Sequence, residues 1–218
     1  DCPELTGHDR YGQPLADGHR HAHVLPLDLD GDRHLDHILI WAPMGLGDAA
    51  QRAIRSLKRI WTKGGVGDLQ VALVGRRDLG ELKNLPEPLR REAGRLLAAN
   101  GSIRSKQGRT PTGARTWISL TPFVPPRFVK RRGRNTLEGQ VSAELESRGL
   151  PPAEQVEVLP DESMTLRHFV RVRHHGGSPP PVDVGYALRI TWSEPVPGPI
   201  VLGYGCHFGL GLFAAERL

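Results

Sequence analysis

Cysteine, methionine and aromatic residues are all scarce here: two cysteines, two methionines and an aromatic share of 6% among 218 residues. Cys2 and Cys206 form neither a C-x-x-C pair nor a spaced framework, which argues against a disulfide-stapled domain and makes a reducing, cytoplasmic setting the expectation. No apolar run approaches the ~18 residues needed to cross a bilayer and no secretory start is visible, so a soluble chain without a membrane partner is expected. The first residue is Asp1 rather than methionine, and the sequence reads as a piece of something longer. With so few aromatics and no RNP-type pattern in the predicted strands, general stacking on single strands is not expected to be the main binding mode.

Acidic residues are missing altogether from Ser102 to Arg134, a span that carries nine cations: Arg104, Lys106, Arg109, Arg115, Arg127, Lys130, Arg131, Arg132 and Arg134. Against a net charge of +5, those nine leave the rest of the chain at −4. A run of one sign has no internal partner to relieve its repulsion, so a polyanion is the expected partner and a merely solvated face the alternative. Arginine predominates, and its planar fork matches phosphate in a bidentate way.

Glycine (26) and proline (19) are abundant, which predicts many turns and short elements rather than a helical bundle. Residues 1–32 read as turn-rich up to Val24-Leu25-Pro26-Leu27, followed by a short strand from Asp36 to Trp41. Asp48 is expected to cap a helix reaching Thr62, ended by Gly64-Gly65; a strand from Leu69 to Val74 and a helix from Pro88 to Ala99 follow. Beyond the basic segment, strands are predicted over Thr116–Phe123, Ala153–Leu159, Leu166–Arg173 and Tyr186–Trp192, with a helix over Thr136–Arg148, a helical turn within Pro197–Gly203 and a last strand over Phe208–Ala214. Two consecutive units of this kind, 1–112 and 113–218, predict an α+β chain of tandem ferredoxin-like folds.

Two stretches carry candidate chemistry. The end of the chain places Gly203, Gly205, Gly209 and Gly211 in an otherwise apolar segment, which would leave backbone N–H groups bare for a phosphate. It lacks the Lys-Ser/Thr of a Walker loop and no helix follows it, so nucleotide binding does not fit; a glycine-rich hairpin packed closely in a sheet is the alternative. The other stretch is Gly18-His19-Arg20-His21-Ala22-His23, whose alternating histidines would share one face of an extended segment. Such a face suits general base chemistry or, with Asp28, Asp30 or Asp32, a metal site. A calcium loop over Asp28–Asp36 is disfavoured because Arg33 and Leu39 occupy the positions of its glycine and bidentate glutamate, leaving a turn held by side-chain-to-backbone hydrogen bonds.

His19-Arg20-His21-Ala22-His23, Asp28-Leu29-Asp30-Gly31-Asp32 with Asp36-His37, Trp41-Ala42-Pro43, Ser119-Leu120-Thr121-Pro122-Phe123 and His207-Phe208-Gly209-Leu210-Gly211-Leu212-Phe213 together resemble CRISPR repeat-processing endoribonucleases of the RAMP superfamily. Within it they are most similar to the endonuclease half of the fused backbone-and-endonuclease subunit of type I-G (formerly I-U) systems. The resemblance implies cleavage of CRISPR repeat RNA without metal or other cofactor, through attack of a 2′-OH, leaving a 2′,3′-cyclic phosphate and a 5′-hydroxyl. It also implies guide RNA and other effector-complex subunits as partners. His21 is the favoured base, His207 the second candidate, with His23 and His19 behind them. Arg127, Lys130, Arg131, Arg132 and Arg134 are expected at phosphates, with Arg104, Lys106, Arg109 and Arg115 further along the RNA. A non-catalytic guide-RNA-binding subunit is the alternative that the same residues would serve.

Overall fold

The computed structural model describes residues 2–16, 18–30, 32, 34–61, 68–78, 81, 86–97, 104–105, 108–109, 113–169 and 179–216. The chain is α+β, with antiparallel sheets. It divides into two compact units: residues 1–23 with 40–82, and residues 24–39 with 83–218. This division differs from a split at residue 112, because segments early in the chain join the second unit. There Arg91 donates to the Leu29 carbonyl, and a Cβ at Gly209 would meet Pro26 Cδ at 2.5 Å.

In the first unit the opening residues form a short helix, α1 (Pro3–Thr6), where a turn-rich loop was expected. Strands β1 (His23–Leu27) and β2 (His37–Trp41) pair as a ribbon, and the division between units falls within them. Helix α2 (Asp48–Ser56) starts on Gly47, whose N–H donates to Glu4 Oε1 at 3.1 Å, so Asp48 sits in the first turn rather than at the cap. The helix is also shorter than its apolar stripe predicts. Leu57 is already extended, and β3 (Arg59–Trp61) pairs with β4 (Asp68–Gln70), so strand pairing takes the residues that the stripe assigned to a third turn.

The second unit is built on a five-stranded antiparallel sheet of β7 (Ala114–Ser119), β8 (Gln155–Val158), β9 (Leu188–Val196), β10 (Ile200–Val201) and β11 (Leu212–Ala215), in the order β10-β11-β7-β9-β8. Alternation sends Trp117, Leu188, Ile190, Trp192 and Phe213 to one face, where α4 (Leu137–Ser147) covers them with Leu137, Val141 and Leu145. Both buried indoles find partners: Trp117 Nε1 donates to the Ala114 carbonyl (3.0 Å) and Trp192 Nε1 to that of Pro151 (2.9 Å). Helix α4 begins where its sequence says, because the Thr136 hydroxyl accepts the Gly139 N–H at 3.0 Å. It ends at Gly149, whose φ of 67° is open to glycine. Helix α3 (Leu89–Leu97) packs on β11, and the two-residue strands β5 (Arg104–Ser105) and β6 (Gly108–Arg109) pair with each other.

Two expected elements are replaced. Leu166–Arg173 is not a strand where it is described: α5 (Pro160–Thr165) runs into a 3-10 turn at Leu166–His168, led by Pro160 and by acids in the first turn that favour a helix start. Pro197–Gly203 holds β10 instead of a helical turn, since Ile200 and Val201 pair with Phe213 and Leu212. The last strand starts at Leu212 rather than Phe208, because Cys206–Phe208 forms a 3-10 turn. Among the described residues the first half of the chain shows two-stranded ribbons and no second sheet of this size.

Candidate nucleic-acid interface

The predicted phosphate contacts fall together on the connection between β7 and α4. Residues 127–134 are exposed throughout, and five of the eight are cations: Arg127, Lys130, Arg131, Arg132 and Arg134. Among the described residues none of these five side chains pairs with a carboxylate. The loop is nonetheless anchored. Gln140 on α4, fully buried, accepts the Arg127 N–H at 2.9 Å and donates its amide to the carbonyls of Arg127 (3.0 Å) and Asn135 (3.3 Å). Lys130 N–H also donates to the Asn135 carbonyl at 2.8 Å, and Gly133 turns the chain at φ 80°. Both ends are therefore tied by one buried amide while the cations point at water.

The other predicted cations are not gathered in this way. Arg104 and Arg109 oppose each other in the backbone register of the β5–β6 ribbon, and Lys106 lies outside the described residues. Arg115 stands 3.9 Å from Glu194, both exposed. On the sheet, Arg189 is held between Glu216 (2.8 Å) and Glu157 (3.0 Å), and these bonds raise its already high pKa. Arg95, beside a depression that Ile118, Ala215 and Glu216 also line, is bonded to Glu92 at 3.0 Å. Cations that already have carboxylate partners are poor ligands for a polyanion, so the sheet is no match for the 127–134 loop.

The glycine-rich end is a packing device. All four glycines have positive φ, at 89°, 71°, 88° and 62° in chain order. A side chain at Gly211 would collide with the Leu202 carbonyl, and one at Gly209 with Pro26. Gly209 to Leu212 are buried. Two of the four amides that were expected to face phosphate have protein acceptors: Gly211 N–H donates to Pro122 O (2.9 Å) and Gly203 N–H to Glu144 Oε2 (2.7 Å). Buried Thr121 stitches the turn to the segment after β7, donating to Gly209 O (2.7 Å) and accepting Leu212 N–H (2.8 Å). Glu144 is bridged to Arg148 at 3.0 Å, and Arg148 reaches Cys206 Sγ at 3.4 Å, where burial pushes the thiol pKa up. The partly open part of the segment is Tyr204, Gly205, His207 and the largely exposed Phe208.

The three leading histidines do not share one face. Residues 18–21 turn and bend, so His19 and His21 precede the extended chain, which begins at His23 with β1. His23 is buried, its ring 5.1 Å from that of Trp41 and its Nε2 3.2 Å from the His19 carbonyl, which makes it a core histidine. His21 is half-buried against Gly7, where a Cβ would come within 2.8 Å of the ring. Burial holds its pKa below the ordinary value, a hydrogen bond to the Gly18 backbone opposes that shift, and the charge of His8 adds to it. His8, bonded through Nδ1 to the Thr6 carbonyl at 2.8 Å, is thus a close electrostatic neighbour that histidine spacing does not reveal. His207 sits half-buried in the 3-10 turn.

The donor atoms of Asp28, Asp30 and Asp32 lie within 4.8 Å of one another. Their turn is held by its own bonds, Asp32 N–H to Asp30 (3.1 Å) and His34 N–H to Asp32 (2.7 Å), as the side-chain-bonded turn requires. No family model, no curated protein and no solved structure matches the chain.

Proposed function

We propose that this chain is an endoribonuclease that binds CRISPR repeat RNA and cuts it without a metal ion, working beside other subunits of a type I effector complex. The observation that carries the RNA partner is the 127–134 loop: five unpaired cations on a backbone pinned by a buried glutamine. Contacts of this kind position a nucleic acid through its phosphates. The strand order β11-β7-β9-β8, with α4 leading from β7 to β8, supports a ferredoxin-like reading of the second unit. In that reading β10 and the 3-10 turn at Cys206–Phe208 stand where the second helix would be, and the tandem arrangement remains part of the proposal.

In the cutting step His21 takes the proton of a 2′-OH. The freed oxygen attacks the adjacent phosphorus, the bond from phosphorus to the 5′-oxygen breaks, and a proton is delivered to that oxygen. A depressed pKa keeps His21 neutral, the form a base needs, at neutral pH. His8, whose charge acts on His21, is the candidate acid. A second reading, a subunit that holds guide RNA without cutting it, is favoured by one observation: His21 Nδ1 is buried, as in a histidine that only supports the turn. Incubation with repeat RNA in EDTA separates the two. The endonuclease yields a cyclic phosphate end and spares a strand carrying 2′-deoxy at the scissile nucleotide; intact RNA that remains bound favours the holding subunit.

A further inference from the structure

Within the basic loop one residue is out of character. Phe128 is 63% exposed, directly after Arg127 and two residues before Lys130; Phe123 and Phe213 are completely buried, and Phe208, on the 3-10 turn and outside the basic loop, is open to a similar degree. Core packing does not account for Phe128, and no ring partner is found for it among the described residues. A solvent-facing phenyl among five unpaired cations presents an apolar ring face directly beside groups that match phosphate. A nucleobase joined to its phosphates fits that combination, whereas the base pairs of a duplex are stacked inside and show a side chain only their edges. The backbone beside the ring is fixed before any ligand arrives, because Gln140 holds both the N–H and the carbonyl of Arg127. Backbone order at this point is therefore in place before binding, and the entropy still to be lost is that of the side chains.

We propose that the 127–134 loop is a preformed contact for single-stranded RNA in which Phe128 stacks on an unpaired base while Arg127, Lys130 and Arg131 hold the flanking phosphates. This rests on the RNA-binding part of the function proposed above and extends it, since it assigns the loop to an unpaired stretch rather than to a stem.

The test is fluorescence anisotropy with a labelled ten-nucleotide single strand, the same strand with abasic spacers, and a hairpin duplex. Phe128→Leu keeps an apolar side chain and removes the ring; it is expected to weaken binding of the base-containing strand about fivefold to a hundredfold, the range seen for one base on one aromatic ring. Phe128→Trp should retain the affinity. The abasic strand should bind the wild type as weakly as the Leu variant does and be indifferent to the substitution, as should the duplex. Wild-type affinity in Phe128→Leu, or an equal loss on base-containing and abasic strands, overturns the stacking contact. If neutralising the neighbouring cations still abolishes binding in that case, the RNA-binding function stands and only the stacking falls. Conversely, a Phe128 effect on binding together with no cleavage in EDTA removes the endonuclease and leaves this contact in place. A wild type that binds none of the three probes removes both.

Discussion

Arg131 and Gly209 lie on two irregular segments of the same unit. Along 127–134 every residue is exposed and the cations are unpaired; along 209–212 every residue is buried and the backbone bonds inward, to Pro122 and Thr121. Each segment is fixed by a buried polar side chain, Gln140 of α4 for the loop and Thr121 for the turn. Buried polar side chains thus hold both an outward-facing surface and an inward-facing one. Fixed backbone is what the two have in common, so their different chemistry comes from what the anchored residues present: guanidinium and ammonium groups in one case, bare Cα atoms packed on carbonyls in the other.

The largest effect should come from filling the inward-facing segment. Gly211→Ala combines a left-handed backbone with a collision at the Leu202 carbonyl. Strain and overpacking together are expected to cost about 3 kcal/mol or more, read as a fall in thermal midpoint of roughly 6–12 °C. Survival of the midpoint would mean that the turn is not the packing element described here. His21→Ala should reduce cleavage about a hundredfold or more while RNA affinity stays within a few-fold. Losses of equal, small size from His21 and His207 variants would remove histidine catalysis. Next in size is Glu144→Ala, which removes the acceptor of the Gly203 N–H and the carboxylate partner of Arg148; a loss of about 2 kcal/mol in a denaturant titration is expected, with RNA salt dependence unchanged.

His21 also gives a pH dependence. Its folded-state pKa lies below the unfolded value of about 6.5, so in the interval between them the unfolded chain binds a proton that the folded chain does not. The His21 contribution therefore lowers stability as pH falls below about 6.5 and levels off once the folded value is passed. The acid limb of the cleavage rate should accordingly lie below 6.5. Thermal midpoints between pH 5 and 7.5, with His21→Ala flattening the decline, check the first statement; a rate that already falls between pH 7.5 and 6.5 contradicts the second. The smallest effect is expected at Arg189→Met, which should leave RNA binding unchanged because that cation is already held by Glu157 and Glu216.

Sequence was most informative where local chemistry and packing agree. Helix α4 carries its own hydroxyl cap, an inward stripe of Leu137, Val141 and Leu145, and a glycine stop, and it lies where those signals put it. The basic run was equally legible, since absence of acid over 33 residues needs no fold to be seen. Glycine spacing left two readings open, because backbone freed by missing side chains serves close packing as well as ligand approach, and the Leu202 and Pro26 contacts favour packing at Gly211 and Gly209. Alternating histidines misled because period two implies one face only if the chain is extended, and residues 18–21 turn and bend. Pro160 with Asp161 and Glu162 was a readable helix start hidden by the alternating pattern after it. Phe128 was visible as a lone aromatic within the cation run, but its exposure, which gives it meaning, belongs to the fold.

The central claim, that the 127–134 loop is where RNA is held, is tested most directly by the salt dependence of repeat-RNA affinity in the wild type and in a variant with Lys130, Arg131, Arg132 and Arg134 all changed to glutamine. These side chains are exposed and unpaired, so the variant should fold with an unchanged thermal midpoint. Its slope of log affinity against log salt should be shallower by about 2.8, from roughly 0.7 for each of four lost phosphate contacts on a single strand. An unchanged slope in a folded variant would contradict the account and make the loop a solvated face.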